Sequence, residues 1–330
     1  ESMRLSIIMP VYNERRTIRE IVRRVMAADL SDLERELVII DDGSTDGTRE
    51  IIAGMDGRDG IRVVLQRQNL GKGAAVARGV REASGDILII QDADLEYDPA
   101  EYPVVLRPIL AGEADVVYGS RFLGTPAGHR VLYFWHAVGN RLLTLLSNAF
   151  SGLNLTDMET CYKAMTREVA DRLNLQSRRF GVEPEITIKV ARLRARVFEV
   201  PISYYGRTYE EGKKIGVKDA FQAVWTLLRY ASWEAPKEDI GARTLRRMSR
   251  MGVYNEWLHN RFDAFLGRRV LEVGAGVGNQ TRYFGDRDRI VASDIEPHYT
   301  RELTARFERH ANVRVASFRF TLKAADREDL

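Results

Sequence analysis

Asp92 and Asp94 stand two residues apart, directly after the apolar run Ile87-Leu-Ile-Ile90. Four consecutive apolar residues read as a strand buried on both faces, which stops at Gln91-Asp92-Ala93-Asp94. Side chains alternate along extended backbone, so the two aspartates point the same way and can hold one hard divalent cation between them, with Glu96 available as a third oxygen ligand. The same residues also fit a solvated acidic turn closing at Asp98-Pro99. Three other polar sets follow apolar runs in the same manner: Pro10 after residues 5–9, Asp41-Asp42 after 37–40, and Gly71-Lys72-Gly73 after 61–65. Asp42 can hydrogen-bond a ribose or base, the glycines let a ligand approach the backbone, and Lys72 adds positive charge. Each taken singly reads equally as a capping acid or a turn glycine. Together at one edge they suit a nucleotide diphosphate sugar.

The elements that must position these residues alternate strand and helix. Val11-Tyr-Asn-Glu14 opens a helical pattern through Ile18, Ile21, Val22 and Val25. Asp46 is placed to cap the helix after the second strand, and the helix following Gly73 ends near Gly85. Strands joined by helices imply an α/β fold whose parallel sheet is covered on both faces, with ligands at the carboxyl ends of the strands.

Composition bounds the rest. The chain has 330 residues, 45% hydrophobic and 29% charged, which is the soluble globular range with room for two domains. A formal net charge of +3 gives no argument for nucleic acid, but the arginines and lysines between 178 and 218 point to a local anionic partner. The single cysteine, Cys161, excludes an internal disulfide framework and fits a reducing compartment. No secretory signal is visible, no apolar run approaches the ~18 residues of a membrane span, and Glu1-Ser2-Met3 reads as a cloning scar. A P-loop is also missing, which argues against that class of ATPase. These features predict a cytoplasmic protein, whose contact with a membrane would be peripheral, at the cytoplasmic face.

Val11-Tyr-Asn-Glu14, Ile40-Asp-Asp-Gly-Ser-Thr-Asp-Gly-Thr48, Asn69-Leu-Gly-Lys-Gly73 and Asp92-Ala-Asp94 resemble the family 2 glycosyltransferases of the GT-A (nucleotide-diphospho-sugar transferase, Rossmann-like) fold. The similarity is to the dolichol-phosphate mannose synthase type and runs from about residue 5 to about 230. It implies a nucleotide-sugar donor held by Pro10, Tyr12, Glu14, Asp41, Asp42, Gly71, Lys72 and Asp92. It further implies Mg²⁺ or Mn²⁺ on Asp92 and Asp94 with Glu96, inversion at the anomeric carbon, and a polyprenyl or dolichyl phosphate acceptor. Many relatives have glutamine where this chain has Glu96. Arg121, Arg130, Arg207 and Lys214 match basic positions that bind acceptor phosphate in that family, and Asp157 matches an acidic position near the reacting centre; Asp157 also reads as a cap. Asp94 and Asp157 are the catalytic candidates. GDP-mannose and UDP-glucose remain alternative donors. A phosphate monoester with a second pKa near ~6 is mostly a dianion at neutral pH, so the acceptor needs no general base.

Val131, Trp135, Val138, Leu142, Leu145 and Ala149 recur at helical spacing, with Asn140, Arg141, Ser147 and Asn148 elsewhere on the wheel. A core-facing helix and an interfacial one both fit, and the stripe Phe221, Val224, Trp225 and Leu228 within 217–233 raises the same alternatives.

Composition changes after Trp233. The reading places the glycosyltransferase domain at 4–233, a linker at 234–250 and a further unit at 251–330. Arg269-Val-Leu-Glu-Val-Gly-Ala-Gly-Val-Gly278 is a strand feeding a glycine-rich turn, and Val291-Ala-Ser-Asp294 is a second strand with an acidic end. This resembles the first motif of class I S-adenosylmethionine methyltransferases and implies cofactor contacts at Glu272, Gly274, Gly276 and Asp294. With about 80 residues the unit is expected to be a partial, truncated Rossmann-like methyltransferase segment.

Overall fold

The computed structural model describes residues 3–124, 134–179, 181–206, 217–235, 244–245, 248–249, 251–307 and 310–317. The chain divides into two compact units, Glu1–Pro236 and Lys237–Leu330.

In the first unit the leading apolar runs are strands: β1 (Arg4–Val11), β2 (Glu34–Asp41), β3 (Ile61–Leu65) and β4 (Ile87–Ile90), of which β3, at the edge of the sheet, buries only Ile61 and leaves Leu65 exposed. They are joined by α1 (Ile18–Ala27), α2 (Thr48–Ala53) and α3 (Lys72–Glu82). Beyond them come α4 (Tyr102–Leu110), β5 (Val116–Ser120), α5 (Phe134–Ser151), β6 (Lys163–Thr166), α6 (Arg167–Leu173), α7 (Val182–Arg192), β7 (Val197–Pro201) and α8 (Val217–Tyr230). The sheet order is β3-β2-β1-β4-β6-β5-β7. Side chains of β1, β2, β4 and β5 form its core, completed by Ile18, Ile21 and Val25 of α1, as their spacing in the sequence predicts.

One strand departs from the all-parallel expectation. β6 runs antiparallel between β4 and β5, pairing Ala164 with Ile89 on one side and Val117 on the other. Its direction brings the segment just before it, residues 156–162, to the edge where β4 and β5 end. β6 begins at the edge where β5 ends, with Lys163 opposite Tyr118, so it runs back against its neighbours although α5 lies between the two strands in sequence.

The second unit contains α9 (Gly252–Phe262), β8 (Arg269–Val273), β9 (Arg289–Ser293), α10 (Pro297–Phe307) and β10 (Val313–Ala316). Its three strands are parallel in the order β10-β9-β8. Ala275, Ala292, Leu303 and Phe307 form one small core cluster, and Val270, Phe284 and Ile290 another.

Candidate active site

Register alone aligns the strand ends: Ile8 pairs with Ile90, and Val11 with Asp41. Asn13, held at φ 55°, then ties the first two loops together. Its N–H donates to Ser44 Oγ at 3.0 Å, and its Oδ1 accepts from the N–H of Thr45 at 2.8 Å. Pro10 and Tyr12 lie on this edge, with Tyr12 exposed, and Glu14 accepts from Thr17 Oγ1 at 2.6 Å at the start of α1.

Asp41 and Asp42 are both buried, and their carboxylates serve the backbone. Asp41 accepts from the N–H groups of Gly43 and Ser44 and lies 3.6 Å from Arg49. Asp42 takes the N–H of Leu70 at 2.8 Å and that of Gly71 at 2.7 Å. Its pKa is raised because burial outweighs those bonds. These two acids thus shape the loops around a ligand space. Gly71 and Gly73 differ from expectation in a related way: a Cβ on Gly71 would sit 2.3 Å from the carbonyl of Arg178, and one on Gly73 2.2 Å from that of Ser177. What approaches these glycines is the protein's own 177–179 segment, fixed by the N–H of Ala74 on the Arg178 carbonyl.

The acidic motif follows β4. Gln91 is fully buried, accepts from the hydroxyls of Tyr102 (2.7 Å) and Tyr162 (2.8 Å), and donates to the carbonyl of Asp92. Asp92 and Asp94 remain partly open to solvent, and Leu95 turns the chain at φ 63°. Lys72 Nζ rests on Asp92 at 2.8 Å and on Glu183 at 3.3 Å, while Lys163 is ion-paired to the other oxygen of Glu183. Burial opposes the charge on Lys72, but Asp92 and Glu183 help to outweigh it, so its pKa lies well above the ordinary lysine value. Two partly open carboxylates offer the oxygen donors that a hard divalent cation takes. Glu96 does not join them: it is buried and accepts from Tyr204 Oη at 2.7 Å. Among the described residues no three acidic, histidine or cysteine side chains converge as a metal-binding group.

Tyr204 links this motif to the next. The guanidinium of Arg121, at the end of β5, lies over its ring at 5.0 Å. Arg121 Nε donates to Asp157 Oδ2 at 2.6 Å and Nη2 to Oδ1 at 2.8 Å, and Asn140 adds a bond to Oδ1. Burial would raise the pKa of Asp157, but Arg121 more than offsets that and holds it low. Fully buried and bonded on both oxygens, Asp157 is placed to position Arg121 and not to touch a substrate. Arg130, Arg207 and Lys214 lie outside the described residues.

Sequence reasoning missed Glu159, Glu183, Tyr204 and Asn140. Glu159 Oε1 is shut away from solvent with no hydrogen-bond partner among the described residues. Burial, then repulsion from Glu183, pushes its pKa up to about 7. The run Asp157-Met-Glu159 hinted at a second acid, but only the antiparallel β6 brings it to this edge.

The profile of Glycosyl transferase family 2 matches residues 6–173, slightly more than half of the chain. The chain belongs to that family. It is 29% identical over 233 residues to the dolichol-phosphate mannosyltransferase of Pyrococcus furiosus, covering 70% of this chain and 65% of that protein. It is 30% identical over 213 residues to the undecaprenyl-phosphate 4-deoxy-4-formamido-L-arabinose transferase of Aeromonas hydrophila, covering 63% of this chain and 62% of that one. The chain therefore spans less than two thirds of either relative. The glucosyl-3-phosphoglycerate synthase of Mycobacterium tuberculosis, solved with Mn²⁺, uridine diphosphate and phosphoglyceric acid, superposes with a TM-score of 0.54 at 24% identity over 72% of this chain and 80% of that one. The family 2 unit is thus a GT-A type α/β fold built on a mixed sheet.

In the second unit the glycine-rich turn has Gly274, Gly276 and Gly278 at φ 70°, 55° and 78°. Asp294 Oδ2 accepts from the N–H of Gly276 at 2.9 Å, which fixes that turn against the end of β9. Glu272 accepts from Thr281 Oγ1 at 2.5 Å, and burial pushes its pKa up to about 7.

Proposed function

We propose that this protein is an inverting hexosyltransferase that moves a sugar, mannose from GDP-mannose by first choice, to a polyprenyl or dolichyl phosphate. UDP-glucose is the alternative donor. The observation that supports this reading is a continuous chain of contacts: Lys72 on Asp92, the turn from Asp92 to Glu96, Tyr204 bonded to Glu96, and Arg121 stacked on Tyr204. It joins cation and diphosphate chemistry at one end to anion chemistry at the other, as transfer between two phosphates needs.

Asp92 and Asp94 would hold Mg²⁺ or Mn²⁺, which supplies charge neutralisation for the departing diphosphate. Lys72 adds a second positive charge there. Asp157 takes Nε and Nη2 of Arg121, so the guanidinium is oriented before the acceptor's phosphate dianion arrives. Arg130, Arg207 and Lys214 are assigned to the same anion from the family resemblance. Pro10 and Tyr12 line the donor space, whose loops Asp41, Asp42 and Gly71 shape. A lipid-borne acceptor makes the enzyme a peripheral protein of the cytoplasmic membrane face; among the described residues no helix is long and apolar enough to cross a bilayer. The second unit is read as a partial methyltransferase-like module in which Glu272, Gly274, Gly276 and Asp294 would face S-adenosylmethionine.

A thermal-shift panel of GDP- and UDP-sugars with and without Mn²⁺ tests the donor assignment, because selective binding stabilises by mass action. Asp94→Asn should retain the fold and lose metal-supported turnover on the order of 10²-fold. Unchanged turnover in that variant would sink the metal assignment.

A further inference from the structure

Both carboxylate oxygens of Asp92 face one ammonium group. Lys72 Nζ lies 2.8 Å from Asp92 Oδ1 and 3.0 Å from Oδ2, so the lysine straddles the carboxylate, and a divalent cation drawn to Asp92 must displace it or share with it. The second neighbour of Nζ is more distant, with Glu183 Oε1 at 3.3 Å. Glu183 is itself anchored, because the fully buried Lys163 pairs with its other oxygen and also donates to the carbonyl of Thr160. The backbone of Lys72 is equally fixed. It opens α3 between Gly71 and Gly73, which the carbonyls of Arg178 and Ser177 approach too closely for any Cβ. What remains movable is the lysine side chain, which is 24% exposed.

We propose that Lys72 is a built-in counter-ion that guards Asp92 from metal until a nucleoside diphosphate draws the ammonium away, leaving it between the diphosphate oxygens and Glu183. This rests on the assignment of Mg²⁺ or Mn²⁺ to Asp92 and Asp94 made above. The order of events follows from charge. A divalent cation arriving alone meets an ammonium at contact distance from its first ligand, and the two cations repel. A diphosphate offers Lys72 new anionic oxygens, so Asp92 is released without leaving a bare ammonium behind. Nucleotide and metal therefore bind with positive linkage, of which Lys72 sets a part.

Mn²⁺ binding to the full chain, read by electron paramagnetic resonance with and without GDP or UDP, tests this without any turnover. Lys72→Met keeps the aliphatic stem and should bind Mn²⁺ on the order of 10-fold more tightly than the parent when nucleotide is absent. The gain in Mn²⁺ affinity on adding the nucleotide should then be smaller than in the parent by a similar factor, on the order of 10. Lys72→Arg, which retains the charge, should leave nucleotide-free binding weak. Asp94→Asn serves as the control for the metal site and should weaken binding in every background. Equal nucleotide-free affinity in Lys72→Met and the parent, with Asp94→Asn still weakening both, overturns the proposal and leaves the metal assignment standing. So does tight nucleotide-free binding in Lys72→Arg. Mn²⁺ binding that ignores Asp94→Asn, or no binding in any of these proteins, rejects the metal assignment and the proposal with it.

Discussion

Glu159 shows how far a single carboxyl can be moved by its surroundings. Its Oε1 is closed off from water beside Glu183, and burial followed by that repulsion lifts the pKa from 4.5 to about 7. Between those values the folded chain keeps a proton that the unfolded chain has released, so the native state binds more protons and stability falls as pH rises across the window. The whole loss amounts to at most ~3 kcal/mol. Glu159→Gln removes the titrating group while keeping its shape, so its stability relative to the parent should climb from about pH 4.5 to about pH 7 and then level off. Urea unfolding of both proteins at a series of pH values measures that difference; a constant gap across the window would show that Glu159 ionises normally. Nothing in the sequence announces this behaviour, since Glu159 acquires its environment only when β6 is inserted between β4 and β5. Asp92 and Asp94 were read as a pair from alternation along extended backbone, but β4 ends at Ile90 and both aspartates follow it in the loop.

At the scale of elements, what was readable followed from periodicity and what was not followed from partners. The apolar runs of β1, β2 and β4 and the spacing of α1 predict those elements well, because each is buried in the way its own pattern demands, whereas β3, at the edge of the sheet, buries only Ile61 of its run. The stripe on α5 was equally visible, but a wheel cannot say which side meets protein, and Val138, Leu142 and Leu145 face out. Gly71 and Gly73 were read as making room for ligand, whereas the 177–179 backbone occupies that space from more than a hundred residues away. This gives a sharp expectation for Gly73→Ala. A Cβ there would lie 2.2 Å from the Ser177 carbonyl and 3.0 Å from that of Arg179, so backbone must shift at the start of α3, and overpacking of this kind costs about 1–3 kcal/mol. The variant should melt several degrees lower and also bind donor more weakly, since Lys72 moves with the loop. Unchanged thermal stability would mean that the 177–179 segment yields freely.

For the whole molecule the central question is whether Glu1–Pro236 and Lys237–Leu330 fold independently. Each has its own sheet and its own core: β1, β2, β4 and β5 in the first, and Val270, Ile290, Ala292, Leu303 and Phe307 in the second. The second sheet has only three described strands, with Leu271 and Val273 of β8 exposed. It buries less apolar area per residue and should be the weaker unit. Calorimetry of the full chain should therefore resolve two transitions, the lower belonging to the second unit. The preferred nucleotide sugar with Mn²⁺ should raise only the upper transition, by about 2.7 kcal/mol of stabilisation at a hundred times its Kd. S-adenosylmethionine should raise only the lower one, if Asp294 and the glycine turn hold it. A single cooperative transition that both ligands shift together would contradict the division into two units, and a lower transition indifferent to S-adenosylmethionine would confine the glycine turn of the second unit to a structural role.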